Sequence, residues 1–144
     1  MRTPDRAMGA DSASSPSATP HSRLRALVID DDPDLLMLVR RTLEFTAGWV
    51  VATAGSGAAG IELARSAELP PQVILVDVMM PEMDGYEVCR RLKSDPRLEA
   101  IPIVLLTARR DLNAGQLAAS GAAGVVLKPF QPAELAQQVL EFCR

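Results

Sequence analysis

Four short aliphatic runs each stop at a polar or charged side chain, and this repeated arrangement leaves the chain very few folds. Residues 26–29 lead into Asp30, Asp31 and Asp32; residues 73–76 into Asp77; residues 103–106 into Thr107; residues 125–127 into Lys128 and Pro129. Aliphatic, partly β-branched runs this short read as buried strands. They are apolar without alternation, so both faces of their sheet must be covered, as in parallel sheets flanked by helices. In such a sheet the strand ends share one edge, where open α/β folds place their ligands. Asp77 alone would read as the cap of a turn, a common task for Asp. Four polar strand ends on one edge instead converge on a single pocket.

The rest of the chain supplies the intervening helices. Strands are expected at about 25–30, 49–53, 73–77, 102–106 and 124–127. Helices are expected at about 33–46 (Leu35, Leu36, Val39 and Leu43 inward), 57–67 (Ile61 and Leu63), 84–94 (Tyr86, Val88, Cys89 and Leu92), 111–119, and from Pro132 onward (Leu135, Val139 and Phe142). Proline suits a first helical turn, and Asp95-Pro96 closes the third helix. The strand–helix unit thus occurs five times, and right-handed crossovers make it an open, doubly wound parallel sheet. Residues 1–22, rich in Ser, Ala, Pro and Thr, read as a flexible leader, with Met8 as an alternative start. Residues 23–144 are expected to form one domain, with no room for a second after the fifth helix.

Composition excludes several functions. The net charge of −3 argues against direct DNA binding, which needs clustered Lys and Arg. One Trp, one Tyr and three Phe are too few for a base-stacking platform. No stretch reaches the roughly 20 apolar residues that span a bilayer, and the start lacks a signal-peptide core, so a cytoplasmic protein is expected. Cys89 and Cys143 are expected as free thiols. Met80, Met83 and Trp49 are expected as packing, and the Arg40-Arg41 and Arg90-Arg91 pairs as solvated surface.

Carboxylates crowded at one edge repel. Two unit charges about 4 Å apart at an effective dielectric near 20 interact by roughly 4 kcal/mol, which a cation or a proton must relieve. Oxygen donors suit Mg²⁺; with the sole His21 in the leader and no thiolate nearby, zinc does not fit. Lys128 and such a cation would attract a phosphoryl group. Asp77 is then placed as the nucleophile of an aspartyl phosphate, with Thr107 donating to the phosphoryl oxygens and Lys128 pairing with them.

With these residues in order, the chain resembles the receiver domains of bacterial response regulators over about residues 24–144. The resemblance is carried by Asp30-Asp31, by Asp77 within VILVDVMMPEMDGYEV, by Thr107-Ala108 after IPIVLL, and by Lys128-Pro129-Phe130. It implies a flavodoxin-like fold with strand order 2-1-3-4-5. It implies Asp77 as phosphoacceptor, and Asp30 and Asp31 as the acidic pair holding Mg²⁺, Asp31 more directly. The backbone carbonyl of Met79 becomes a further metal ligand, Thr107 the switch hydroxyl and Lys128 the motif lysine, before a cis Pro129. Asp32, one place beyond the pair, is expected to cap the first helix. The implied protein is a stand-alone regulator and not a turnover enzyme, although it slowly loses its phosphoryl group to water. It takes that group from a histidine kinase or phosphotransfer protein. It signals to a protein partner through the fourth helix, fifth strand and fifth helix.

Two departures from the family pattern bear on this. Val125 stands where an aromatic residue is common, so backbone shifts or other side chains would report the Thr107 movement. Met79 and Arg109, two residues beyond Asp77 and Thr107, are bulky where the family flanks its hydrolytic water, which would lengthen the phosphoryl lifetime. Three rivals rank lower. Gly55-Ser56-Gly57-Ala58-Ala59-Gly60 fits a dinucleotide fingerprint, but it leaves the acidic pair, Thr107 and Lys128 unexplained. An aspartyl phosphatase would need a second Asp at position 79. A phosphorylation-independent binding module would not need the full set of pocket residues.

Overall fold

The computed structural model describes residues 23–143. The expected leader and its alternative start at Met8 lie outside the described residues. The strands are β1 (Arg25–Ile29), β2 (Val50–Ala54), β3 (Val73–Asp77), β4 (Ile103–Thr107) and β5 (Gly124–Leu127). They form one parallel sheet in the order β2-β1-β3-β4-β5, as the resemblance implied. The helices are α1 (Pro33–Ala47), α2 (Gly57–Ser66), α3 (Gly85–Lys93), α4 (Ala114–Ser120) and α5 (Leu135–Phe142).

Successive strand residues point to opposite faces, and here both faces are apolar. Leu27, Ile29, Ile74, Val76, Ile103 and Leu105 meet the α2 and α3 side through Ile61, Val88 and Leu92. Ala26, Val28, Val73, Leu75, Val104 and Leu106 meet the α1 and α5 side through Val39, Leu43, Leu135 and Val139. Every residue of β3 and β4 is buried. Each fully buried aliphatic side chain contributes about 1.5–3 kcal/mol, so these two strands fix the centre of the sheet, and with it the positions of Asp77 and Thr107.

Four helices start on a short side chain that caps their free N–H groups. Asp32 accepts from the Asp34 and Leu35 amides, Ser56 from Ala59, Asp84 from Glu87 and Asn113 from Gln116. These caps shorten two expected helices. Asp84 stands outside α3, and α4 begins at Ala114 rather than 111. The last helix differs more. Pro132–Glu134 form a 3-10 turn and α5 starts at Leu135, because no side chain at Gln131 caps a longer α-helix.

Two packing expectations also shift, and β2 starts one residue later than expected. Leu63 is 41% exposed; the inward face of α2 is instead Gly57, Gly60, Ile61 and Ala64. Phe142 lies at the surface, its ring against Gly124. Trp49 is buried as expected, but it precedes β2 and packs with the α1-side core.

Gly60 lets α2 approach β1 closely, since a Cβ there would collide with the Ile29 side chain. Gly60→Ala is expected to lower unfolding free energy by about 1–3 kcal/mol through overpacking, read by urea denaturation. An unchanged midpoint would contradict this packing.

Candidate functional site

The register of the sheet brings the predicted residues together. Asp77 pairs with Leu106, and Thr107 with Leu127, so Asp77, Thr107 and Lys128 end three neighbouring strands. The Lys128 amide donates to the Thr107 carbonyl at 2.8 Å, which fixes the step from β5 into the cis Lys128–Pro129 bond. Asp30 follows β1 directly, and its amide donates to the Ala54 carbonyl at 3.1 Å.

Lys128 Nζ lies 3.0 Å from Asp30 Oδ2 and 3.5 Å from Asp77 Oδ1. Asp30 and Asp77 are buried, Asp31 is exposed, and the three offer carboxylate oxygens all within 4.8 Å of one another. Asp30 Oδ1 is held by the Asp32 amide at 2.9 Å, and Asp77 Oδ1 by the Met79 amide at 3.3 Å. A close set of hard oxygens with one exposed member fits a divalent cation that keeps part of its water shell. Asp32 faces away from this duty and caps α1.

Thr107 is fully buried, and its Oγ1 accepts from the Arg109 amide at 3.0 Å. The Arg109 guanidinium forms a two-point ion pair with Asp111, Nε to Oδ1 at 3.1 Å and Nη2 to Oδ2 at 2.9 Å. Its Nη1 approaches Met79 Sδ at 3.9 Å. The pair holds the Asp111 carboxyl below the usual carboxylate range and raises the guanidinium. Val125, at the position common for an aromatic ring, packs half-buried against the α2- and α3-side core.

Some contributors were not singled out from sequence. Gly85 donates its N–H to the Val78 carbonyl at 3.0 Å, and a Cβ there would sit 2.6 Å from the Asp77 carbonyl oxygen. Pro followed by Asp-Gly just after the strand is the signal that marks this tight return. Asp111 carries no such signal, because an acid two residues from an arginine on a loop is commonplace. A cleft of about 730 Å³ opens between the β3–α3 loop and the β4–α4 segment, lined by Met79, Tyr86, Arg109 and Asn113 among others. None of the three clustered acids or Lys128 lines it.

The glycine-rich segment serves packing. A Cβ on Gly57 would meet Val88 and Met83 side chains at 2.8 and 3.0 Å, and Gly60 faces Ile29. Both are turned to the core rather than to a ligand. Cys89 and Cys143 are free, and burial pushes the Cys89 thiol up to about 12.

Burial raises the Asp77 carboxyl above its ordinary range, the Asp30 charge adds to this, and Lys128 opposes it. A carboxyl raised on folding is no burden below its unfolded pKa, but it costs stability once pH climbs through its folded value. Asp77→Asn, which cannot ionise, is therefore expected to be more stable than the parent at neutral pH without divalent cations. The difference should close toward pH about 4. Thermal unfolding across that range checks it; a variant less stable than the parent at neutral pH would contradict it.

Known proteins share this fold and much of this sequence. The response regulator receiver domain family matches residues 26–140. The chain is 41% identical over 118 residues to the DNA-binding response regulator MtrA of Mycolicibacterium smegmatis, covering 81% of this chain and 49% of that protein. It is 40% identical over 121 residues to the DNA-binding dual master transcriptional regulator RpaA of Synechocystis, covering 83% of this chain and 49% of that protein. The chain thus spans about half the length of these curated relatives. Among solved structures, the chemotaxis response regulator CheY4 of Vibrio cholerae superposes with a TM-score of 0.76 at 30% identity, covering 83% of this chain and 98% of that one. A strand order, a set of polar strand ends and a family match over most of the described residues all agree: this chain belongs to the response regulator receiver domains, the phosphoacceptor modules of two-component signalling.

Proposed function

We propose that Asp77 accepts a phosphoryl group from the phosphohistidine of a histidine kinase or phosphotransfer protein. One carboxylate oxygen of Asp77 forms the new P–O bond while the P–N bond to the imidazole breaks, and the donor histidine leaves with the electron pair. The observation that carries this reading is Lys128 Nζ, set between Asp30 and Asp77 at 3.0 and 3.5 Å. A cation already placed between Asp30 and the acceptor is positioned to neutralise incoming phosphoryl oxygens. Asp30, Asp31, Asp77 and the Met79 carbonyl would hold Mg²⁺, which supplies charge neutralisation at the transferring group. Lys128 then pairs with one phosphoryl oxygen, and the Thr107 hydroxyl donates to another.

Phosphorylation biases a two-state element by giving one state contacts that the other lacks. Thr107 is joined to Lys128 through its carbonyl and to Arg109 through its hydroxyl. Its movement is therefore transmitted along the backbone into β5 and the β4–α4 segment, without the aromatic rotation that Val125 removes. The α4–β5–α5 surface meets a protein partner, and the signal ends by slow hydrolysis of the aspartyl phosphate. The DNA-binding named for MtrA and RpaA is attributed to those longer proteins. Among the described residues no helix is long and apolar enough to cross a membrane.

Incubation with a small phosphodonor such as acetyl phosphate is expected to label the protein only with Mg²⁺ present, with labelling abolished in Asp77→Asn. Equal labelling of that variant would place the acceptor elsewhere, and no labelling of the parent would favour a binding module. Met79 and Arg109 screen the attacking water, so the Met79→Asn, Arg109→Ala double variant should lose its phosphoryl group about tenfold faster, a barrier change of about 1.4 kcal/mol. Decay as slow as the parent's would remove the shielding role.

A further inference from the structure

Arg109 touches three parts of the site at once. Its amide holds the Thr107 hydroxyl, its Nη1 reaches Met79 Sδ, and the rest of its guanidinium is taken by Asp111. Met79 in turn gives its amide to Asp77 Oδ1 at 3.3 Å. The guanidinium therefore rests on the loop adjoining the acceptor carboxylate.

The ion pair that parks it there is geometrically good and energetically weak. The Arg109 side chain is 48% exposed and that of Asp111 77%. Solvent screens pairs this open, so they contribute little. A phosphoryl dianion on Asp77 offers more charge and three oxygens, and guanidinium binds such groups in two-point fashion. The two acceptors compete for one side chain.

We infer that Arg109 is a two-position residue, parked on Asp111 in the unphosphorylated protein and moved onto the phosphoryl oxygens when Asp77 is modified, with Asp111 as the positioning residue that sets the balance. The inference rests on Asp77 as the phosphoacceptor and deepens that reading. Asp111 weakens phosphoryl retention only through Arg109. The shielding of water by Arg109 then becomes adjustable: the more firmly Asp111 holds the guanidinium, the more open the site.

A double-mutant cycle separates this from a simple charge effect. The probe is beryllofluoride, a phosphoryl mimic, titrated at saturating Mg²⁺ by calorimetry. Asp111→Asn is expected to bind it about two- to fivefold tighter, the weight of the released ion pair. Arg109→Ala should bind it about tenfold more weakly, having lost a charge-assisted contact. The double variant should match Arg109→Ala, because Asp111 has nothing left to hold, and Asp111→Glu should return toward the parent. Both residues are exposed, and thermal unfolding of each variant checks that it is folded. If Asp111→Asn tightens binding equally with and without Arg109, the effect is general electrostatics and the two-position account is overturned. Failure of the parent itself to bind the mimic would instead overturn Asp77 as acceptor, and this inference with it.

Discussion

Three carboxylates share one end of the sheet with a single lysine between two of them, and the rest of the structure is arranged around that juxtaposition. Asp30 and Asp77 are buried where charge is costly. Lys128 offsets part of the cost, yet three acids face one lysine, so the site is short of positive charge. The strain appears in Asp77, whose carboxyl is pushed upward by burial and by Asp30 despite the lysine. A hollow in this state suits a hard cation.

The fold holds these groups in place through its least adaptable part. β3 and β4 are buried on both faces, and their ladder carries Asp77 and Thr107 at its C-terminal end. The flanking loops are then fixed by short-range hydrogen bonds. Gly85 returns the chain against Val78, Asp32 and Asp84 cap the next helices, and Lys128 leans on Thr107 through its amide. The buried core sets the positions, and the loops carry the remaining side chains of the site. That division suits a module whose two states differ at one edge, as loops over a fixed scaffold are where function and low local stability gather.

Much of this was legible in the residues. Uninterrupted aliphatic runs this short read as doubly covered strands, and parallel pairing puts their ends together, so Asp30, Asp77, Thr107 and Lys128 could be grouped from the residues alone. Strand order came from resemblance, because pairing of buried parallel strands leaves no mark on any one strand. Helix ends were harder. Asp84 and Asn113 could sit inside a helix or cap it, and only the backbone decides. Leu63 misled because α2 turns its glycines and Ala64 inward, where close approach to β1 leaves no space for a leucine. Asp111 was invisible for another reason: its partner is an exposed side chain two residues away, and nothing in composition or spacing announces such a pair.

If the acidic hollow is short of positive charge, a divalent cation should complete it. Unfolding free energy measured at neutral pH while Mg²⁺ is raised tests it most directly. Stability of the parent should climb with the logarithm of Mg²⁺ once binding begins, and Asp31→Asn, which removes only the exposed oxygen donor, should need far more Mg²⁺ for the same gain. A parent indifferent to Mg²⁺, or a variant that responds as the parent does, would contradict the account.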